Sequence, residues 1–346
     1  MAQRTPRHPA APPSQAGVRS SAPSSLGVLG VLCAAALWAL VGLITKRLYA
    51  SATIPPLAVG ALRLALSVPA LFALSVWIER RSWHIPRRDW WLFGLYGLAM
   101  AGYQLCFLGA LTTTTVTAAT LLLTTAPAFV TLLAAVVLRE RPSLGRSALL
   151  ALAMLGAALV VLGSGGDGMS AGSLPLDPLA LRGDALALGA ALAYAGYYLL
   201  SGVLGPRYGG IQIMTIAIAV GAALLLPAAL IGGGLGMAVR TLDGAAWALL
   251  LVLALGSTAI AYAIYGLALR HTPATLASVA ALVEPVIASV LAWYALGERL
   301  APIGLLGGAL VLGGIAGTYV LRMQASRAPT LDEAASAPYS TVRRRA

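Results

Sequence analysis

Two stretches of this sequence decide the fold: "TAPAFVTLLAAVVLRERPSLGRSALLALAMLGAA" (Thr125–Ala158) and "VEPVIASVLAWYALGERLAPIGLLGGALVLGGIA" (Val283–Ala316) align without a gap at an offset of 158 residues. The matches include Pro127 with Pro285, Glu140-Arg141 with Glu298-Arg299, and Gly156 with Gly314. Apolar stretches share Ala and Leu by chance, but matched Pro, Glu-Arg and Gly at fixed spacing are much harder to obtain. The chain is therefore predicted to be a duplication.

The composition identifies the medium in which these halves fold. Of the 346 residues, 59% are hydrophobic and 10% are charged, where a soluble domain carries about 25% charged residues. The long runs are apolar on every side, which excludes a soluble helical protein with polar faces. The net charge of +12 lies in short clusters between these runs, so it indicates membrane orientation rather than a nucleic-acid partner.

The apolar runs predict an all-α integral membrane protein with ten spans, since about 20 residues cross the hydrocarbon core as a helix. The predicted spans are 26–45, 57–78, 90–111, 116–138, 147–163, 184–205, 211–232, 245–268, 274–296 and 303–321. The predicted organisation is a disordered tail at 1–25, a first half at 26–163, a linker at 164–183, a second half at 184–322 and a disordered tail at 323–346.

The basic residues predict the orientation. Of the 23 Lys and Arg residues, 17 lie on the side of the two termini and five on the other. This excess places both termini in the cytoplasm, as for a protein of the cell membrane. Because each half has an odd number of spans, the second half is expected to enter the membrane upside down. Such inverted repeats are typical of transporters that alternate between inward-open and outward-open states.

Three segments resemble a known family. The run "PAFVTLLAAVVLRERPS", its counterpart "EPVIASVLAWYALGERLAP" and the opening "AAALWALVGLITKRL" resemble the two EamA domains of the drug/metabolite transporter superfamily, and the likeness extends from 26 to 322. The resemblance implies a ten-helix secondary transporter, most often an exporter of amino acids or other small metabolites from bacterial cells. It also implies a central cavity lined mainly by the first, third, fourth, sixth, eighth and ninth spans. Small multidrug members have a glutamate in the first span, and this sequence has none between Leu26 and Thr45.

Two full charges lie well inside the predicted spans. Arg63 is shallow enough to extend its side chain toward the headgroups, so anchoring or packing is its expected role, and the alternative is to bind an anionic group. Glu284 is too deep and too short to do the same. Its carboxyl group would bind and release a proton or receive a substrate's ammonium group; alternatively, a protonated carboxyl would bond to freed backbone in the bundle interior.

Prolines at equivalent positions predict broken helices. Pro285 deprives the carbonyl of Ala281 of its helical partner, and Pro127 does the same to Leu123. Thr124 and Thr125 precede Pro127 and are expected to bond to the freed carbonyl or to face a cavity. Broken backbone is tolerated in a membrane where it faces protein or a water-filled cavity, so the two breaks predict a midplane site.

Aromatic and amide side chains complete the predicted cavity. The candidates for binding substrate or coupling ion are Glu284, Pro285, Pro127, Trp38, Tyr103, Gln104, Thr124, Tyr194, Tyr198, Tyr262 and Arg63. Tyr197 and Tyr265 lie near them in sequence. For each aromatic residue alone, ordinary packing or an interhelical hydrogen bond is the alternative role.

Other patterns narrow the function. Gly304, Gly308, Gly313 and Gly317 in the last span predict close helix contact within the monomer or, alternatively, a homodimer interface. The Glu298-Arg299 pair is expected to bond locally and fix the turn into the last helix.

The sequence contains no metal-binding spacing, cofactor motif or cluster of catalytic groups at membrane depth, which argues against an enzyme. The prediction is a secondary active transporter, coupled to protons if Glu284 carries one; a passive channel or a membrane scaffold is the alternative.

Overall fold

A computed structural model describes residues 25–79, 83–137, 143–163, 177–205, 207–232, 234–269, 271–272 and 274–327. Every long element in these ranges is a helix. The helices are α1 (Ser25–Ser51), α2 (Pro56–Glu79), α3 (Trp90–Ala110), α4 (Val116–Leu123), α5 (Ala126–Val137), α6 (Leu144–Gly163), α7 (Pro178–Leu204), α8 (Gly210–Ile231), α9 (Gly234–Thr241), α10 (Gly244–Leu251), α11 (Ala261–Ala268), α12 (Ala274–Ala281), α13 (Val283–Leu296) and α14 (Pro302–Arg327). A π-helical segment, Val252–Ile260, joins α10 to α11.

Ten stretches in the described residues are long and apolar enough to cross a membrane, which confirms the predicted membrane fold. The fourth span consists of α4 and α5, the eighth of α10, the π segment and α11, and the ninth of α12 and α13. Each half of the chain contributes five spans, and an inverted arrangement requires such an odd number in each half.

The packing of the helices follows the duplication. The largest helix contacts join α6 to α14, α3 to α7 and α2 to α8, and α1 packs on both α11 and α13. In terms of the ten spans, the fifth packs on the tenth, the third on the sixth, the second on the seventh, and the first on both the eighth and the ninth. If the halves are exchanged, so that spans one to five take the places of spans six to ten and the reverse, the contact between spans three and six becomes the contact between spans eight and one. The contacts of span two with seven and of span five with ten stay the same. The bundle therefore has a pseudo-two-fold pattern of contacts.

Glycines bring α6 and α14 into backbone contact. A Cβ atom added at Gly156 would lie 2.6 Å from the carbonyl oxygen of Gly307, and one at Gly307 would lie 2.6 Å from that of Gly156. Within the same chain, Gly304 approaches Gly163, Gly308 approaches Leu121 and Gly317 approaches Leu149, while Gly313 faces open space. These contacts support the packing role predicted for the glycine pattern.

Glu298 connects the halves at one end of the bundle. Its carboxylate accepts a hydrogen bond from the backbone amide of Val116 at 2.7 Å and lies 3.6 Å from Lys46 Nζ. The expected local pair with Arg299 is therefore wrong: the turn at Gly297, with φ of 70°, directs the next residue toward the first amide of α4 instead. The equivalent pair Glu140-Arg141 lies outside the described residues.

The opposite end has its own polar contacts. The Tyr208 hydroxyl donates to Asp89 at 2.6 Å, and Arg207 Nη1 donates to the same carboxylate at 3.2 Å. Glu79 accepts from the backbone amides of Ile211 and Gln212 at 2.9 Å each, which satisfies the first turn of α8. The loops predicted to share a side of the membrane thus contact one another.

Two helices extend beyond the spans predicted for them. The linker at 164–183 ends earlier than expected, because Asp177 accepts from the amide of Leu179 and α7 starts at Pro178. The tail at 323–346 starts later, since α14 continues to Arg327. The predictions for residues 1–24, 164–176 and 328–346 lie outside the described residues.

Candidate functional site

The fourth and ninth spans break at equivalent places. Helix α4 ends at Leu123 and α5 begins at Ala126, while α12 ends at Ala281 and α13 begins at Val283. Helix α12 begins and ends 158 residues after α4 begins and ends, so the two helices are equivalent. Pro127 and Pro285 lie in the first turns of the helices that follow the breaks, where a missing amide hydrogen costs nothing. Each proline thus starts a new helix instead of distorting a continuous one.

The threonines beside the first break bond to other carbonyls than expected. Thr124 Oγ1 donates to the carbonyl of Thr120 at 2.7 Å, and Thr125 Oγ1 donates to that of Leu122 at 2.6 Å. Neither bond involves the Leu123 carbonyl that Pro127 releases. Thr125 is fully buried, whereas Thr124 contributes to the wall of a cavity.

That cavity lies where the two breaks meet and has a volume of about 100 Å³. Eight of the eleven predicted site residues line it: Trp38, Thr124, Pro127, Tyr194, Tyr198, Tyr262, Glu284 and Pro285. Further lining residues are Thr120, Leu123, Ala126, Tyr197, Tyr265, Ser278, Ala281, Leu282 and Tyr319. The walls come from the first, fourth, sixth, eighth, ninth and tenth spans.

The residues from the broken spans form pairs across the halves. At the offset of 158, the cavity contains the pairs Thr120 with Ser278, Leu123 with Ala281, Thr124 with Leu282, Ala126 with Glu284, and Pro127 with Pro285. Four of these pairs are proline, apolar or hydroxyl-bearing residues. The fifth introduces a carboxyl group on one side only, so the cavity is symmetric in backbone and asymmetric in charge.

Glu284 faces the cavity without a protein partner. Among the described residues its carboxyl group has neither a hydrogen bond nor an ion pair. The alternative in which the carboxyl bonds to freed backbone is thus absent from the described contacts. A carboxyl group that faces a cavity of this size is available to a proton or to a cationic ligand.

Aromatic rings surround most of the cavity. The Trp38 ring lies 5.2 Å from the centroids of both Tyr262 and Tyr265, tilted by 58° and 56°. Within the sixth span, the ring centroids of Tyr198 and Tyr194 lie 4.7 Å apart and the ring planes form an angle of 61°. The Trp38 Nε1 atom is buried and has no hydrogen-bond partner in the described structure, which leaves an N–H donor in the wall.

Three predicted site residues lie behind this wall rather than in it. Tyr103 stacks on Tyr194 with centroids 4.9 Å apart. Arg63 Nε donates to Thr258 Oγ1 at 2.9 Å, and Nη1 contacts Gln104 Oε1 at 3.4 Å. The third span therefore supports the cavity from outside.

The depth of Arg63 in its span predicted a side chain that extends toward the headgroups. The structure shows that it does not. Its side chain is 3% exposed and bonds inside the bundle. Thr258 reaches it from the π segment, where the hydroxyl also donates to the Leu253 carbonyl at 2.9 Å. π-helical turns often occur at functional sites because the extra residue redirects side chains. This one places an acceptor against a buried guanidinium.

A further buried charge was missed because it lies at the edge of a predicted span. Asp184 is 1% exposed and accepts from Thr114 Oγ1 at 2.6 Å. It lies two turns into α7, which is longer than predicted, so the residue falls inside the bundle. Thr120 and Ser278 were also missed, although extending the alignment upstream of Thr125 pairs their hydroxyl groups directly.

A family model described as the EamA-like transporter family matches residues 25–162 and 181–320. The chain is 30% identical over 296 residues to a protein of Bacillus subtilis (strain 168) named uncharacterized transporter YwfM, covering 83% of this chain and 91% of that protein.

It is also 30% identical over 291 residues to a probable terminal-alkyne amino-acid exporter of Streptantibioticus cattleyicolor, covering 81% of this chain and 92% of that protein. A crystal structure with 19% sequence identity superposes with a TM-score of 0.56 over 87% of this chain and 99% of the other, which shows a shared fold.

Proposed function

The chain belongs to the EamA-like transporter family, and from this premise we propose that it exports amino acids or similar small metabolites by secondary active transport. The protein is a multi-pass membrane transporter rather than an enzyme. In the proposal, it resides in the cell membrane with both termini in the cytoplasm, and its two halves alternate around the central cavity.

The observation that carries the proposal is the position of Glu284. Its carboxyl group has no hydrogen-bond or ion-pair partner in the part of the chain that the structure describes, and it faces a cavity where both halves break their helices. A charge at such depth costs roughly 2.5–3.5 kcal/mol on insertion scales, so it requires a compensating role. Binding and releasing a proton as the cavity changes sides would couple export to the proton gradient, and an ammonium group of the substrate would compete for the same carboxylate.

The size of the cavity supports a small solute. Its volume of about 100 Å³ exceeds the roughly 10–15 Å³ that one water needs but falls below the 300–1,000 Å³ typical of drug-sized ligands. The name of the Streptantibioticus relative, an amino-acid exporter, is in keeping with this range. Amino acids are therefore the first solutes to test.

The test is transport by purified protein in liposomes. A panel of radiolabelled amino acids is presented with and without a pH gradient, and wild type is compared with Glu284→Gln. Trp293→Leu, altered at a ring that is 58% exposed on the outside of the bundle, serves as a control for the mutagenesis. We expect saturable, gradient-stimulated transport in wild type and the control, and loss of the stimulation in Glu284→Gln.

Two other outcomes identify the alternatives. Transport that does not saturate and ignores the gradient in all three proteins would favour a passive channel. Failure of every solute to move would favour a membrane scaffold. Unchanged pH dependence in Glu284→Gln would remove the coupling role of the carboxyl group while leaving transport itself intact.

A further inference from the structure

The rings around the cavity differ in whether their faces are covered. Tyr194 and Tyr197 are stacked at 5.2 Å with their planes 9° apart. Tyr197 also stacks on Tyr96, at 4.8 Å and 12°, and Tyr194 stacks on Tyr103. These four rings form a continuous stack in which Tyr194 and Tyr197 each have a neighbour on two sides. The stack is packing, and its inner rings offer edges to the cavity.

The rings outside the stack are arranged differently. Trp38, Tyr262 and Tyr265 meet at angles of 56–58° rather than flat on one another. Tyr198 meets the two inner rings of the stack edge-on, at 61° to Tyr194 and 69° to Tyr197. Tilted rings leave π faces that no parallel ring covers, and all four of these rings line the cavity. We refer to Trp38, Tyr198, Tyr262 and Tyr265 as the aromatic cage.

Among the described lining residues outside the aromatic cage, one is acidic and none is basic. The acidic residue is Glu284. Leu123 and Ala281 also line the cavity, and the prolines four residues on have removed the helical partners of their carbonyl groups. Ring faces, free carbonyl oxygens and a carboxylate all attract a cation.

We propose that the aromatic cage and Glu284 form a binding site for an alkylammonium group, so that the transported solutes are small molecules that carry one. The proposal rests on the proposed function, because it assigns the substrate class of the same cavity. Ammonium groups bind to the faces of Trp and Tyr through the ring quadrupole, most strongly where water is excluded. Glu284 supplies the counter-charge.

Ligand binding tests this independently of transport. The probes are n-butylammonium and n-butanol, which have the same number of heavy atoms and differ in charge. A ligand that binds the folded state raises its thermal stability in a saturable way. In detergent-purified wild type we expect n-butylammonium to raise the melting temperature with saturation and n-butanol to produce no saturable rise.

Variants assign the effect to the cage. Trp38→Leu and Tyr262→Leu should each weaken n-butylammonium binding by about three- to thirtyfold, the range expected for losing one ring face. Glu284→Gln should weaken it as well, whereas Trp293→Leu on the outside of the bundle should bind like wild type. Replacing tryptophan by fluorinated tryptophan keeps the shape of the ring and lowers its quadrupole, so binding should weaken with each added fluorine even if Trp38→Leu fails to fold.

The outcomes separate this inference from the proposed function. Equal shifts from n-butylammonium and n-butanol, no shift from n-butylammonium, or binding that is unaffected by fluorination and by Tyr262→Leu would each overturn the cage. If such a result accompanies gradient-stimulated transport, the proposed function stands without it. Cage-dependent binding in a protein that moves none of the tested solutes would support the cage and contradict the proposed function.

Discussion

Glu284 and Ala126 line the same cavity from equivalent positions in the two halves, one residue before the prolines Pro285 and Pro127. The duplication therefore supplied the broken helices twice and the carboxyl group once. In the proposed mechanism, a single acidic group on this framework serves one central site in both of the states that the halves exchange. That role is the reason we propose for a charge in the ninth span.

The contact between α6 and α14 predicts which glycines tolerate a methyl group. Gly307→Ala should lower stability by about 1–3 kcal/mol, because its Cβ would overlap the Gly156 carbonyl in a packed interface. Gly313→Ala in the same helix has open space and should be neutral or stabilising by up to about 1 kcal/mol. Thermal unfolding in detergent measures both. Equal effects of the two substitutions would contradict the close contact.

Glu298 is predicted to stabilise the bundle mainly by capping α4. Glu298→Gln keeps an acceptor for the Val116 amide and loses the pair with Lys46, which at 3.6 Å is worth less than about 1 kcal/mol. Glu298→Ala also leaves the Val116 amide unbonded and should lower the free energy of unfolding by about a further 1–2 kcal/mol. Lys46→Met should resemble Glu298→Gln in thermal unfolding. A glutamine variant as unstable as the alanine variant would show that the charge matters more than the cap.

The buried guanidinium of Arg63 depends on the π segment. Thr258→Val removes the acceptor of Arg63 Nε with little change in shape, so we expect a loss of about 1–3 kcal/mol from the unsatisfied donor. Thr318→Val, whose hydroxyl bonds to the Ile315 carbonyl of its own helix, is the matched control. Thermal unfolding of the two variants makes the comparison. Similar losses would mean that the Arg63 bond contributes nothing specific.

Tyr208, in the loop between α7 and α8, should make a pH-dependent contribution. Burial, together with the hydrogen bond to Asp89, raises the pKa of the Tyr208 phenol above its usual value. The folded state favours the protonated phenol, so the stabilisation is fully present below about pH 10 and is lost as pH rises through the folded pKa.

Tyr208→Phe should therefore cost about 1.5–3 kcal/mol near pH 7, as expected for a bond to a carboxylate, and less above pH 10. Melting temperatures of wild type and variant at both pH values measure the difference. A difference that stays constant with pH would exclude the hydrogen-bonded phenol as its source.

The sequence was sufficient for the spans and for the breaks within them. Hydropathy depends on each residue's own side chain, so ten spans follow from composition along the chain. Proline alone does not locate a break, because α2 and α8 continue through Pro69 and Pro227. The equivalent positions of Pro127 and Pro285 in the two halves are what predict the breaks. The offset of 158 residues also pairs Thr120 with Ser278, a relationship available from the sequence once the alignment is extended upstream.

The environment of each polar side chain could not be predicted in the same way. Arg63 was expected near the headgroups, but its burial depends on Thr258 and Gln104 from other spans. Glu298 was expected to bond to its neighbour, and its partner Val116 is 182 residues away in sequence. Which ring faces remain uncovered in the cavity likewise depends on how distant helices pack.

The central claim is that one carboxyl group at the meeting point of the two broken spans couples transport to the gradient. The most direct measurement is gradient-driven uptake into liposomes by wild type, Glu284→Ala, and the double variant Ala126→Glu/Glu284→Ala, which moves the carboxyl group to the equivalent position. We predict that Glu284→Ala loses the stimulation by the pH gradient and that the double variant regains part of it. Gradient stimulation in Glu284→Ala equal to that of wild type would contradict the claim.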